Sequence, residues 1–388
     1  MVYPMFFRAF GYIGGLVYLC VVLVLNYLTS VYILEASSHY RELDFNTLIR
    51  RSLGAVAHRV GNYTLLLDYF ACYVIGVLMV WNNLVFLLFS ADLLDPEAIA
   101  SAAEPRFNPY APQLLTIRFA MVVLVFAALF RLFLLEKMES FAFVFKGYFC
   151  LLGALLAYLA YDFWALGARY QAAGTLSTHL FSLDETSLKF GVILLTAFYS
   201  QPNLLVMKAE LPEAERDGVE GCVRVSYGCF AAIGACFGLL GYSLLGDLHT
   251  SVLFLYRRGF ADMPLQWLHK GFILVISLPI LLYLGFFNLS LRQYFKANFA
   301  AKSKLATSVL PLFLSLLLAF AYPDIVNVLG YNGVFVCAFN GYVFPGLMKI
   351  QIMREKRESK WKIALVALIV VFVLLVARLS LVQMIKGV

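Results

Sequence analysis

Residues 187–212, SLKFGVILLTAFYSQPNLLVMKAELP, decide how the rest of the chain is interpreted. The stretch resembles a membrane helix that Ser200-Gln201-Pro202-Asn203 interrupts near its middle. Pro202 lacks a backbone donor and its ring clashes with the preceding turn, so the helix is predicted to break or kink there. Backbone freed in hydrocarbon must be buried in protein or must line a polar cavity. The alternatives are therefore a binding site at a discontinuous helix and an ordinary proline kink.

The composition requires lipid as the main solvent of this chain. Of its 388 residues, 62% are hydrophobic and only 14% are charged, whereas a soluble domain is about 45–50% apolar and about 25% charged. The fold class predicted is therefore an all-α polytopic membrane protein. The net charge of +7 comes from Lys and Arg residues in links between apolar runs, so it indicates membrane orientation and no nucleic-acid partner. The seven cysteines show no disulfide or metal spacing.

The apolar runs predict ten membrane spans. They cover residues 12–34, 63–89, 115–135, 140–161, the broken helix 187–212, 225–245, 265–290, 305–321, 326–348 and 363–385. The amphipathic link 37–61 follows the first of them, and a polar loop is expected at 162–185. Most Lys and Arg residues fall in alternate links, and the positive-inside rule places those links in the cytosol. The span 12–34 then runs from the outside inward, and the C-terminus lies outside.

Several motifs, in order along almost the whole chain, resemble the amino acid/auxin permease family of the amino acid–polyamine–organocation superfamily. Phe198-Tyr199-Ser200-Gln201-Pro202-Asn203, followed by Glu210-Leu211, is similar to the family's sixth helix, F-x-x-H/Q-x-N-x-x-x-x-x-x-E-L. GYSLLGD at 241–247 is similar to the end of its seventh helix. YPDIVNVLGYNGVFVCAFNGYVFPGLM at 322–348 resembles its ninth-to-tenth hairpin, and YPMFFRAFG at 3–11 resembles the end of its first helix.

The resemblance implies a single transporter domain, 1–388, with the inverted-repeat bundle of the LeuT-type fold and eleven helices. Residues 1–10 would be the end of a truncated first helix, 12–161 the second to fifth helices, and 187–348 the sixth to tenth, with the sixth broken near 200–203. Residues 363–385 would be the eleventh. The family breaks its first helix just upstream of the motif at 3–11, so we expect that the native protein contains a segment before Met1.

The resemblance also places half of a substrate site at the break. A zwitterionic amino acid needs acceptors for its ammonium group and donors or a helix N-terminus for its carboxylate. Phe198, Ser200 and Gln201 are expected to present backbone or side-chain groups to the substrate. Asn203 either satisfies freed backbone or takes part in binding.

Further candidates lie on other predicted spans. Asn82 and Asn83 are mid-span amides that either bond neighbouring helices or contact substrate. Ser277 precedes Pro279 and either bonds back to its own helix or contributes to an ion site. Asp68 is the nearest acidic residue to the membrane interior and is expected in the first turns of its helix. No cofactor is expected, and the coupling ion, where there is one, would be H⁺ or Na⁺.

The function predicted is secondary active transport of neutral amino acids, ion-coupled or by exchange, through alternating access. The partners are then the small-molecule substrate and the lipid bilayer. The location is the plasma membrane or a vacuolar or lysosomal membrane. The alternatives are an amino-acid-sensing transceptor and an inactive, truncated homologue. An enzyme would need clustered His, Asp or Ser chemistry at the midplane, and a channel would need repeated rings of one polar residue type; the sequence contains neither.

Overall fold

The computed structural model describes residues 2–90, 142–172, 179–183, 185–245, 304–322 and 325–386, with isolated positions 120, 123, 127, 291, 294 and 295. Within these residues the regular structure is helical and contains no strand. The helices are α1 Val2–Tyr40, α2 Phe45–Leu53, α3 Ala55–Ser90, α4 Ala142–Ala172, α5 Glu185–Ala197, α6 Gln201–Glu210, a 3-10 turn Glu213–Gly218, α7 Val219–Leu245, α8 Lys304–Ala321, α9 Ile325–Asn332, a π-helical segment Gly333–Val343, α10 Phe344–Glu355 and α11 Lys360–Lys386.

Six described helical stretches are long and apolar enough to cross a membrane. They are Phe6–Tyr40, Ala55–Val80, Phe190–Glu210, Glu213–Leu244, Ile325–Glu355 and Lys360–Lys386. Each overlaps one of the spans predicted from the sequence. Phe149–Ala165 is a shorter apolar helix that overlaps the predicted span 140–161. The predicted spans 115–135 and 265–290 lie outside the described residues, apart from isolated positions of the first. The chain is thus a multi-pass integral membrane protein.

Helix α1 is interrupted at Gly11, which separates residues 2–10 from the long span that follows. Gly11 has φ 75° and ψ 179°, a conformation that essentially only glycine adopts. The amides freed by the break find partners on the segment 179–183: Tyr12 N donates to the His179 carbonyl at 3.1 Å and Ile13 N donates to the Leu180 carbonyl at 2.9 Å. In return, Ser182 N donates to the Phe10 carbonyl at 2.9 Å.

Two helices extend beyond the spans that were predicted for them. The link 37–61 contains the short helix α2, which begins at an Asp44 cap whose Oδ2 accepts from Thr47 N at 2.7 Å. Helix α3 then starts at Ala55 rather than near residue 63. Helix α4 continues to Ala172, so Asp162 lies within a helix, where it is fully buried, rather than at the start of a polar loop. Apolar periodicity marks the lipid-crossing part of a helix, and helices continue beyond it.

The chain divides into two compact units. One comprises Tyr69–Ser177 and Ser243–Val328; the other comprises Val2–Asp68, Thr178–Tyr242 and Leu329–Val388. In the second unit, which we call the site unit, α1 packs against α2, α5, α6, the π-helical segment and α10, while α11 packs against α5, the π-helical segment and α10. The broken helix α5–α6 is thus held inside one unit.

Helix α11 shows how the site unit meets lipid. Val366, Val370, Val373 and Ala377 recur at helical spacing and are buried. Large apolar side chains such as Leu365 and Leu368 on other faces are exposed. A helix that is apolar all round but packed on one face alone is solvated by hydrocarbon on the others.

Ion pairs join the C-terminal ends of α1 and α10. Glu35 accepts hydrogen bonds from Lys349 Nζ and, at 3.3 Å, from Lys356 Nζ. One turn further along α1, His39 Nε2 lies 2.9 Å from a Glu355 carboxylate oxygen. Because water screens the charges of exposed groups, these pairs add little to stability. Their position agrees with the polar membrane surface that the basic link after α10 predicts.

Candidate functional site: the break between α5 and α6

The break in the predicted sixth helix falls at residues 198–200, two to three residues earlier than the expected 200–203. Helix α5 ends at Ala197 and α6 begins at Gln201, with Pro202 in its first turn. The first turn is where proline is favoured, because its missing amide would have no partner there and its fixed φ suits the helix. Pro202 therefore starts the second half of the helix instead of marking the gap.

Gln201 connects the break to α1. Its side chain is fully buried, and its Oε1 accepts from Ser200 N at 3.0 Å, which satisfies an amide at the break. Its Nε2 donates to Asn26 Oδ1 at 3.0 Å and to Thr29 Oγ1 at 3.1 Å. All of these polar atoms lie at membrane depth, where an unsatisfied group is costly.

Two tyrosine hydroxyls satisfy carbonyls near the break. Tyr227 on α7 donates to the Phe198 carbonyl at 3.2 Å and lies 3.1 Å from Ser200 Oγ and 2.9 Å from Ser30 Oγ. Tyr342 in the π-helical segment donates to the Leu195 carbonyl at 3.2 Å and accepts from Asn26 Nδ2 at 2.6 Å. We call Asn26, Thr29, Ser30, Ser200, Gln201, Tyr227 and Tyr342 the break network. Every side chain in it is uncharged.

The predicted substrate residue Phe198 faces other aromatic rings. Its ring lies edge-on at 6.4 Å from Tyr3 and at 6.2 Å from Tyr227, measured between centroids. Tyr3 belongs to the short helical arm before Gly11. The structure therefore places residues 2–10, the break and α7 side by side, as expected if the first and sixth helices together form one site.

The other predicted site residues have different positions. Asn203 is half-buried. Its backbone amide, rather than its side chain, donates to the Ser200 carbonyl at 3.0 Å. The side chain that bonds Ser200 N is that of Gln201. Asn82 and Asn83 lie on α3 as predicted. Ser277 lies outside the described residues.

Sequence reasoning missed most of the break network. Asn26, Thr29 and Ser30 form a polar stripe at helical spacing in an otherwise apolar span, and that spacing is a signal of an inward-facing stripe. Tyr227 and Tyr342 carry no such signal, because tyrosine is common in membrane helices at interfacial positions.

A second polar cluster lies in the site unit beside the break, and it corrects the expected position of Asp68. Because α3 begins at Ala55, Asp68 lies about 20 Å along that helix instead of in its first turns, and it is 4% exposed. The Tyr199 hydroxyl faces both the Asp68 carboxylate and the Asn340 amide. Thr64, one turn before Asp68, donates to Asn340 Oδ1 at 2.7 Å. We call Thr64, Asp68, Tyr199 and Asn340 the Asp68 cluster.

The break offers both kinds of group that a zwitterion requires. The N-terminus of α6 places the positive end of a helix dipole at the break, which suits a carboxylate. The end of α5 presents carbonyls, and the network adds hydroxyl and amide oxygens, which suit an ammonium group. The groups of the break network are neutral dipoles, so no charged side chain is buried among them. Among the described residues, no group of His, Cys, Asp and Glu is arranged to hold a metal ion.

Comparison with known proteins identifies the family of the chain. The model of the family described as transmembrane amino acid transporter protein matches residues 1–386, which confirms the resemblance found in the sequence motifs. Among curated proteins, no significant match to the chain was found.

Proposed function

Because the chain belongs to the transmembrane amino acid transporter family, we propose that it is a secondary active transporter of neutral amino acids. Its substrate would bind at residues 198–200, between the two half-helices and α1. Alternating access in a LeuT-type inverted repeat would expose this site to each side in turn, by ion coupling or by exchange. The plasma membrane or a vacuolar or lysosomal membrane would be its location.

One observation carries this proposal: a membrane helix is unwound where buried, uncharged polar groups from α1, α7 and the π-helical segment converge on it. Tyr227 and Tyr342 satisfy carbonyls at the break, so the unwound state is built into the fold. A simple proline kink would free the Phe198 carbonyl, four residues before Pro202, whereas the partners here also satisfy the Leu195 carbonyl and Ser200 N. Breaking a helix at the midplane is a recurring way to bind small zwitterions and ions.

The neutrality of the break network supports the choice of substrate class. A cationic or anionic side chain would need an opposite charge at membrane depth, where charged groups are rare and functional. None of the seven residues of the network supplies one. A substrate with an uncharged side chain needs only its backbone carboxylate and ammonium groups satisfied.

Counterflow exchange in liposomes tests the proposal. Purified full-length protein is reconstituted into vesicles that contain unlabelled alanine, leucine and glutamine, and uptake of each labelled amino acid is followed. We expect uptake several-fold faster than into protein-free vesicles. Gln201→Ala removes the link between the break and α1, and it should lower the rate about tenfold, equivalent to about 1.4 kcal/mol.

Gln351→Ala is the matched control. Gln351 lies near the C-terminal end of α10 and bonds Glu355 one turn away at 3.1 Å, so it should retain the wild-type rate. Absence of exchange for every amino acid tested, by well-folded wild-type protein, would reject transport and favour a sensor or an inactive homologue.

A further inference from the structure

Asp68 is a buried carboxylate that contacts the broken helix. Among the described residues of the site unit, it is the one carboxylate that combines these two properties. Asp68 lies well inside α3. Ionisable residues inside a membrane are costly and mark ion pathways or proton relays by default. A carboxylate at this depth therefore needs an explanation beyond packing.

The groups around Asp68 suit a carboxylate that changes its charge. Among the described residues, Tyr199 at the break and Cys337 in the π-helical segment are titratable groups that face it from neighbouring elements. Within the described part of the chain, the Tyr199 hydroxyl and Asn340 Nδ2 are buried without a hydrogen bond of regular geometry. Both can donate to an ionised carboxylate. A protonated Asp68 would itself donate, so Tyr199 would have to accept instead.

The same arrangement disfavours a metal cation. Asn340 Oδ1 is occupied by the Thr64 hydroxyl at 2.7 Å, and its remaining group, Nδ2, is a donor only. A cation such as Na⁺ requires oxygen atoms that turn lone pairs toward it. The group of Asn340 left without a partner among the described residues is thus a donor, which suits an ionised carboxylate better than a metal cation.

Tyr199 gives the cluster a direct mechanical link to the substrate site. It is the central residue of the unwound segment, and its neighbours Phe198 and Ser200 contact Tyr227. Because the tyrosine ring is rigid, a displacement of the Tyr199 hydroxyl oxygen, unlike a rotation of its O–H bond, shifts the ring and the backbone on which both groups depend. The charge of Asp68 can thus bias the shape of the break.

We propose that Asp68 binds the transported proton and that Tyr199 transmits its charge state to the break between α5 and α6. The inference rests on the proposed transport function. A proton from the outer aqueous phase binds the Asp68 carboxylate in the outward-open state and leaves to the cytosol from the inward-open state. No bond of the amino acid is made or broken. Uptake of substrate and proton together would follow from the shared segment 198–200.

Asp68→Asn tests this role, because asparagine imitates the protonated carboxyl and cannot release a proton. Liposomes with the full-length protein receive an inward pH gradient of about one unit, which can drive up to about tenfold accumulation at one proton per substrate. We expect the wild type to accumulate labelled alanine and to alkalinise the medium as it does so. Asp68→Asn should lose both activities yet keep counterflow exchange at equal pH within about threefold of the wild type.

Glu358→Gln is the matched control, since Glu358 is a carboxylate paired with Lys362 at 3.1 Å near the start of α11. It should keep gradient-driven accumulation. Gradient-driven accumulation by Asp68→Asn equal to that of the wild type would overturn the proposal. So would wild-type accumulation driven by Na⁺ and indifferent to pH, although transport itself would then stand. Failure of wild-type exchange would instead reject the transport function.

A second measurement decides the case in which Asp68→Asn does not exchange. The unfolding midpoint of the detergent-purified proteins is followed from about pH 5 to pH 8. If Asp68 exchanges a proton in the folded state, its removal changes the pH dependence of the midpoint. Parallel curves for wild type and Asp68→Asn would reject Asp68 as the proton-binding group.

Discussion

Tyr227 shows how much one hydroxyl contributes to the break. The group contacts the Phe198 carbonyl and the hydroxyls of Ser30 and Ser200, all within 3.2 Å. A phenylalanine at this position would fill the same space and leave these three groups without their shared partner. The hydroxyl therefore ties α1 and α7 to the unwound segment.

We predict that Tyr227→Phe destabilises the protein by about 1–3 kcal/mol, the cost of leaving buried polar groups unsatisfied, and also weakens substrate binding. Thermal unfolding with and without added alanine measures both effects. Tyr18→Phe is the control, because the Tyr18 hydroxyl bonds the Gly191 carbonyl at 3.0 Å, within α5 and away from the break. Equal loss of alanine stabilisation in the two variants would contradict a specific role for Tyr227.

At the scale of single residues, sequence reasoning singled out residues that belong to a recognisable motif and missed residues that belong to none. Gln201 and Phe198 were found because they surround a proline in an apolar run. Tyr227 was missed because a single tyrosine in an apolar helix looks the same whether it faces lipid or the interior. Asp68 was misplaced because its depth depends on where α3 begins, and polar residues before the span hid that start.

Among the elements, the Gly11 break depends most strongly on one residue type. Its positive φ is one that side chains rarely adopt, and an added Cβ would lie 2.7 Å from Phe181 N and 2.8 Å from the His179 carbonyl oxygen. Those are backbone atoms of a segment already held by hydrogen bonds, so they cannot move aside. Two independent penalties thus fall on any substitution.

We predict that Gly11→Ala costs at least about 1–3 kcal/mol from backbone strain alone and lowers the yield of well-folded protein. Gly147→Ala on α4 is the control, since its Cβ would meet nothing within 4 Å and alanine favours a helix. Yield and unfolding temperature of the purified variants are the measurements. A Gly11→Ala protein as stable as Gly147→Ala would show that the break tolerates a side chain.

The presence of a helix could be predicted from the sequence, whereas its winding, α or π, could not. The apolar run 326–348 was expected as one span, but it is α9, an eleven-residue π-helical segment and α10 in succession. Hydrophobic periodicity does not distinguish α from π winding in a run that is apolar on every side. The winding is set by contacts with α5 and α11, which are tertiary.

The whole molecule is organised by the membrane, and its orientation is still a prediction from charge. The basic links place the start of α11 in the cytosol and its end outside. Helix α11 spans 27 residues, or about 40 Å, which is enough to cross the bilayer. Its two ends must then lie on opposite sides.

We predict that Lys360→Cys reacts with a membrane-impermeant maleimide only from the cytosolic side and Lys386→Cys only from the other. Both lysines are exposed at the two ends of α11. Sealed vesicles of known orientation, before and after permeabilisation, provide the measurement. The parent protein corrects for native cysteines such as Cys222, which is exposed on α7. Labelling in the reverse pattern would invert the topology.

The hydrogen bonds made by the π-helical segment depend more on the number of residues in it than on the type of most of them. Gly333–Val343 carries Asn340 and Tyr342 toward different partners, Thr64 and Asn26. Each residue added to or removed from a helix turns everything beyond it by about 100°. One deletion before Asn340 would therefore rotate both side chains away from their partners at once, whereas many apolar exchanges would leave them in place. Over evolutionary time, the large apolar residues of the segment should vary more readily than its length, while Asn340 and Tyr342 stay fixed.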